Sequence, residues 1–125
     1  MDKTISYRAT MFDGEPDLAW LRPGWRALRL YAQKAKAAIE DGDTALKADM
    51  ISRADQLLTI MSGILEINPG SMLGSSLMRI YSALRLALLD ANMSNTCEPL
   101  VDFDRALRTL DDEFLKLSEG AAGRR

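Results

Sequence analysis

The sequence predicts an all-α fold, an antiparallel four-helix bundle with a short N-terminal cap segment. Apolar residues recur at alternating spacings of 3 and 4 along most of the chain. Runs of alternating β-branched residues are missing, and Val occurs once in 125 residues. Turn-forming residues gather at three interior places and divide the chain into four segments of helical length. The expected organisation is a cap segment over residues 1–22, the bundle over 23–118 and a flexible tail over 119–125.

The first main helix is expected from Pro23 to Asp41, with a short helical turn before it near Asp17–Leu21. Proline suits a first helical position because its missing N–H has no intrahelical acceptor there. Trp25, Leu28, Tyr31, Ala32, Ala35, Ala38 and Ile39 share one face. Gly42 then permits the left-handed stop, and Asp43 is a good N-cap. The second helix is expected over Thr44–Ile67 with two adjacent apolar seams. One is Ile51, Ala54, Leu58, Met61 and Leu65; the other is Leu46, Met50, Leu57, Ile60, Ile64 and Ile67. "NPGS" breaks the chain, and so short a break makes the next helix an antiparallel neighbour. That third helix spans Met72–Met93, "NMSNT" ends it, and Thr96 is the expected cap of a fourth helix over Cys97–Ser118. Leu100, Phe103, Leu107, Leu110, Phe114 and Leu117 form its seam, with the spacing of a coiled-coil face.

Composition narrows the function. Net charge is −2, which provides no electrostatic footprint for nucleic acid. Residues 22–36 carry Arg22, Arg26, Arg29, Lys34 and Lys36 without an acid, whereas residues 97–119 carry seven acids against three bases. The two faces are expected to complement each other, the alternative being a basic patch for an acidic partner. The chain contains no His, which removes the imidazole chemistry of most nucleophilic and zinc sites. It also removes the phosphotransfer histidine and the Glu-x-x-His pairs of di-iron bundles. Carboxylate clusters at Glu40, Asp41, Asp43 and at Asp111, Asp112, Glu113 read better as a cap and a solvated face than as catalytic groups. No enzyme activity, metal or cofactor is expected. No apolar run approaches the roughly 20 residues of a membrane span, so stable membrane insertion is not expected. The start lacks an apolar leader, and the lone Cys97 fits a reducing compartment, so a cytoplasmic location is expected.

The third helix is apolar on more sides than one. From Leu77 to Ala91, eleven of fifteen residues are apolar, where a surface helix ordinarily shows a single stripe. Leu73, Leu77, Ile80, Tyr81, Leu84, Ala87, Leu88 and Ala91 complete a core face. A second stripe of Met78, Leu86, Leu89 and Met93 lies beyond it, with Ser82 among them and Arg79, Arg85 and Asp90 at its rim. An apolar centre with a polar rim is how a binding groove is built. The stripe is therefore a candidate seat for another chain, or for a second copy in a homodimer. Its alternative fate is burial under a neighbouring helix or the N-terminal segment.

Three stretches resemble the flagellin export chaperone (FliS) family: "AKAAIEDGDTALKADMISRADQLLTIMSGIL", "SLMRIYSALRLALLDANMSNT" and "PLVDFDRALRTLDDEF". The third-helix pattern is carried by Leu77, Tyr81, Leu88, Leu89, Asp90, Ala91, Asn92, Asn95 and Thr96, and the likeness covers roughly residues 23–117. The N-terminal region departs from it, with Trp25, Arg26 and Ala27 standing where the family has Tyr, Asp and Gly. The resemblance implies a non-enzymatic chaperone that binds the C-terminal segment of newly made flagellin in the cytoplasm. It would prevent early polymerisation and deliver its client to the flagellar export apparatus. On that reading Met78, Leu86, Leu89 and Met93 face the client, and Asn92 is a hydrogen-bond partner for its backbone. Leu57, Ile60 and Ile64 form an opposite wall, and Tyr7 is the candidate lid. The alternative is a divergent helical-bundle adaptor or regulatory homodimer with a non-flagellin client.

Overall fold

The computed structural model describes residues 21–65 and 72–123, with side chains over 21–65 and 74–116. The expected cap segment, Tyr7 included, lies outside the described residues, as does the "NPGS" break. The described residues form α1 (Leu21–Asp41), α2 (Thr44–Leu65), α3 (Met72–Ser94) and α4 (Glu98–Gly123). Each helix packs against its neighbours in sequence, and α4 returns to α1, so the four close a ring. This is the expected all-α four-helix bundle.

Helix ends follow local chemistry. Gly42 adopts φ 73° and Asp43 follows it. The Gly42 N–H donates to the Ile39 carbonyl at 3.2 Å and the Asp43 N–H to the Ala38 carbonyl at 2.8 Å, the paired bonds of a Schellman stop. The Asp43 carboxylate then accepts from the Leu46 N–H at 3.0 Å, capping α2. At the end of α3, Asn95 takes the left-handed conformation with φ 55°, which Asn tolerates better than most side chains. Three bounds differ from expectation. α1 begins at Leu21 and keeps Pro23 within its first turn, where an N–H is dispensable. Thr96 does not cap α4; its hydroxyl pairs with that of Ser94 at 2.8 Å. The Cys97 carbonyl instead accepts the first bonds of α4, from the Leu100 and Val101 N–H groups. α4 also continues to Gly123, five residues into the expected tail, because Ala121 and Ala122 favour helix and no proline intervenes.

The core fills the ring from all four helices. Leu21, Trp25, Leu28, Ala32 and Ala35 of α1 are buried with Ile51, Ala54, Leu58, Met61 and Leu65 of α2. Leu77, Tyr81, Leu84, Leu88 and Ala91 of α3 meet Leu100, Phe103 and Leu107 of α4. α1 and α2 approach so closely at Gly24 that a Cβ there would stand 2.8 Å from the Met61 Cε. Diagonally opposed helices do not touch through their backbones, yet α1 and α3 are joined across the centre. The Trp25 Nε1–H donates to the Tyr81 hydroxyl at 2.9 Å, with Tyr81 wholly buried. Phe114 of α4 presents an edge to Trp25, ring centroids 6.1 Å apart, and carries the Arg22 guanidinium over its own face at 5.8 Å.

The basic and acidic stretches find each other inside the molecule. Arg22 of α1 donates to Asp111 of α4 at 2.6 Å and 3.2 Å. Arg29 and Gln33 converge on Asp104 at 2.9 Å and 3.3 Å. The Arg22 hydrogen bond, opposed by partial burial and aided by the Arg22, Arg26 and Arg29 charges, holds the Asp111 carboxyl below its ordinary value. Burial alone would push Asp104 up; the Arg29 and Gln33 bonds and the charges of Arg29 and Arg108 outweigh it and hold Asp104 below that value too. A depressed carboxyl stabilises the fold above its unfolded-state value and loses that contribution as pH falls through the folded one. The melting temperature should therefore hold down to about pH 5 and fall below about pH 4, more gently in an Asp104→Asn/Asp111→Asn variant. Replacing Tyr81 by Phe strands the buried Trp25 donor, so urea unfolding should show a loss of about 1–3 kcal/mol. Burial, against the Trp25 bond, pushes the Tyr81 hydroxyl up to about 12. Keeping it neutral stabilises the fold below the unfolded-state value of about 10, and this is lost as pH rises towards about 12. The alkaline decline should accordingly be shallower in Tyr81→Phe.

Candidate functional site: the groove between the second and third helices

A groove of about 640 Å³ runs along the outer seam of α2 and α3. Ala48, Ile51, Ser52 and Asp55 line it from α2, and Ser82, Arg85, Leu86, Leu88, Leu89 and Asn92 from α3. Its origin is local. The flank of α2 turned to α3 carries small or short side chains at Ala48, Ser52 and Asp55, and α3 offers Ser82 opposite. Two helices packed at ordinary separation through such residues leave a hollow above the contact.

The apolar wall is the second stripe of α3. Leu86 is 67% exposed and Leu89 53%, side by side on the groove. Met93, 77% exposed, lies on the same stripe one turn beyond Leu89 and outside the lining. Met78 is half-buried and packs against the core. Asn92 lines the groove at the end nearest Met93. Its carbonyl is held from below by the Lys47 ammonium at 3.3 Å, which also donates to the Asn95 side-chain oxygen at 2.9 Å. Lys47 is 7% exposed, so a nearly buried cation on α2 fastens the last turn of α3, where the helix dipole favours positive charge. On the polar side Arg85 reaches across to Asp55 with bonds of 2.8 Å and 3.5 Å.

The three α2 residues expected opposite this stripe stand elsewhere. On a helix turning about 100° per residue, Leu57, Ile60 and Ile64 lie roughly 140–180° round from Asp55. Asp55 faces α3, whereas Met61, nearer to them, touches Gly24 of α1. Leu57 accordingly packs half-buried against the core, Ile64 is half-buried and Ile60 is 61% exposed, all on the flank turned towards α1. They do not share a groove with Leu86 and Leu89. The α2 wall that the sequence reading missed has a signal of its own: Ala48, Ser52 and Asp55, short side chains spaced 4 and 3 on a single flank.

Four of the six carboxylates considered for chemistry are engaged in the fold: Asp43 caps α2, Glu40 pairs with Lys36 at 3.6 Å, Asp111 pairs with Arg22, and Glu113 pairs with Lys116 at 3.5 Å. Among the described residues no cluster of His, Cys, Asp and Glu is arranged to hold a metal ion, and no helix is long and apolar enough to cross a membrane.

Fold and groove define a small up-and-down bundle with a cleft on one flank, lined by both apolar and polar residues. The family model described as Flagellar protein FliS matches residues 26–121, and the chain belongs to the FliS family of flagellar chaperones. No curated protein matches the chain. Because Lys47 fastens the Asn92 end of this site, Lys47→Met should lower stability by about 1–3 kcal/mol, since two oxygens lose their donor. Hydrogen exchange should then quicken at residues 92–97 before the rest of α3.

Proposed function

We propose that this protein binds the C-terminal segment of newly made flagellin in the cytoplasm, prevents its premature polymerisation and delivers it to the flagellar export apparatus. The client lies as an amphipathic helix along the second stripe of α3, over Leu86 and Leu89. The observation that carries this reading is that pair of bare leucines beside a groove, in a chain of the FliS family. Their exposure leaves apolar surface that a polymer-forming segment, itself apolar on one side, would cover.

Magnitudes bear on how the client binds. Covering the bare parts of Leu86 and Leu89 contributes about 2–3 kcal/mol in all. Micromolar affinity requires about 8 kcal/mol. The client must therefore extend past the groove, over Met93 at one end and Met78 at the other. A long segment that winds round the bundle also reaches Ile60, with Leu57 and Ile64 beside it. Asn92, at the groove edge, would bond the client's backbone.

Leu89→Glu tests the assignment, because a half-exposed position tolerates a polar side chain at a cost of about 0.5 kcal/mol to the fold. Circular dichroism and melting temperature should stay near wild type. Calorimetric titration with a flagellin C-terminal peptide should show at least about a tenfold loss of affinity, a carboxylate having been forced against the client's apolar face. A wild-type protein that sediments as a dimer, becomes a monomer on Leu89→Glu and ignores the peptide would instead make the stripe a self-interface.

A further inference from the structure

The groove contains one feature that apolar packing does not use. Asp55 and Arg85 span it from wall to wall, and each side chain is nearly half exposed, 43% and 47%. The carboxylate takes bonds from Arg85 Nε and Nη2. The rest of the guanidinium fork, Nη1 included, has no partner among the described residues. The pair stands near one end of the groove, with Ser82 three residues beyond Arg85. Leu86 adjoins Arg85, Ile51 and Leu89 follow about one helical turn further along, and Asn92 closes the other end about 10 Å from Arg85 at 1.5 Å per residue.

A helix laid in this groove removes water from the pair. Free donors on a desolvated guanidinium cost free energy unless an acceptor replaces the lost water. Leucine or valine at that point would leave them bare, while leucine or valine one turn away is favoured by Ile51 and Leu89. A one-residue slip of an amphipathic helix rotates its faces by about 100° and reverses both matches.

Building on the client reading above, we propose that the Asp55–Arg85 pair sets the register of the bound segment. The groove accepts an amphipathic helix whose apolar side chains lie on Ile51, Leu86 and Leu89. One turn away, that helix presents a side-chain oxygen that accepts from the free N–H groups of Arg85. Asp55 already balances the Arg85 charge, so the amide oxygen of Asn or Gln fits this place better than a second carboxylate.

The test uses the full chain and a synthetic flagellin C-terminal peptide in which each Asn and Gln is changed in turn to Leu. One such change should weaken binding to the wild type by about tenfold, the cost of an unsatisfied buried donor. That penalty should vanish against Asp55→Leu/Arg85→Met, in which both charges are gone. Arg85→Lys, which keeps the charge without the planar fork, should retain part of it. The two positions are exposed enough for circular dichroism to confirm an unchanged bundle; should the double variant unfold, Arg85→Met alone gives the same readout. If the parent peptide binds and no amide change carries a penalty that depends on Arg85, the register role is overturned. If the parent peptide does not bind at all, the client reading falls, and the register role with it.

Discussion

The hydrogen bond from Trp25 to Tyr81 is the constraint around which the bundle is arranged. A ring of four helices leaves its diagonals unpaired, and van der Waals packing alone lets opposed helices slide. Here the indole N–H and the phenol oxygen must meet at the centre, because each is buried and would otherwise lack a partner. Their meeting fixes the rise of α1 relative to α3. The edge contact of Phe114 on Trp25 transmits that setting to α4, and the Arg22 guanidinium over Phe114 joins it to the surface ion pair with Asp111. Core, diagonal and surface therefore specify one register of helices.

With the core settled in this way, α3 has apolar residues to spare. Tyr81, Leu84 and Leu88 suffice to close the interior, and Leu86 and Leu89 are left on the outside. The groove beside them belongs to the fold rather than to a mobile loop. Its floor is Ile51 and Leu88, both core residues, and its far end is held by Lys47 beneath Asn92. A client would meet a shape already formed, which reduces the ordering cost of binding.

How much of this was legible in the residues differs from level to level. The helices and the bundle were, because spacings of 3 and 4 between good stop signals admit few other folds. The outer stripe of α3 was legible as a surplus: too many apolar residues for one face. The α2 side was not. Its two seams adjoin, and only the position of α1 decides which flank is covered and which borders α3. Leu57, Ile60 and Ile64 look like a wall on a helical projection, yet Met61 at Gly24 shows that flank turned to α1. The actual wall is made of Ala48, Ser52 and Asp55, small residues whose role is to leave room, and hydrophobic patterning gives absence of bulk no weight. Caps failed for a similar reason, since Thr96 has a nearer partner in Ser94 than the amides of α4.

The placement of charge along the chain has a kinetic side. α1 and α2 are joined through Gly42 and Asp43 alone, a hairpin that closes at small entropic cost. The seam of α1 with α4 brings together residues 89 and 75 positions apart, at Arg22–Asp111 and Arg29–Asp104. Closing a loop of that length is the least favourable step in assembling the ring. It is also the seam whose two sides carry opposite charge, so attraction acts at long range on the contact most distant in sequence. Dissolved salt, by shortening that range, would slow this closure more than that of the α1–α2 hairpin.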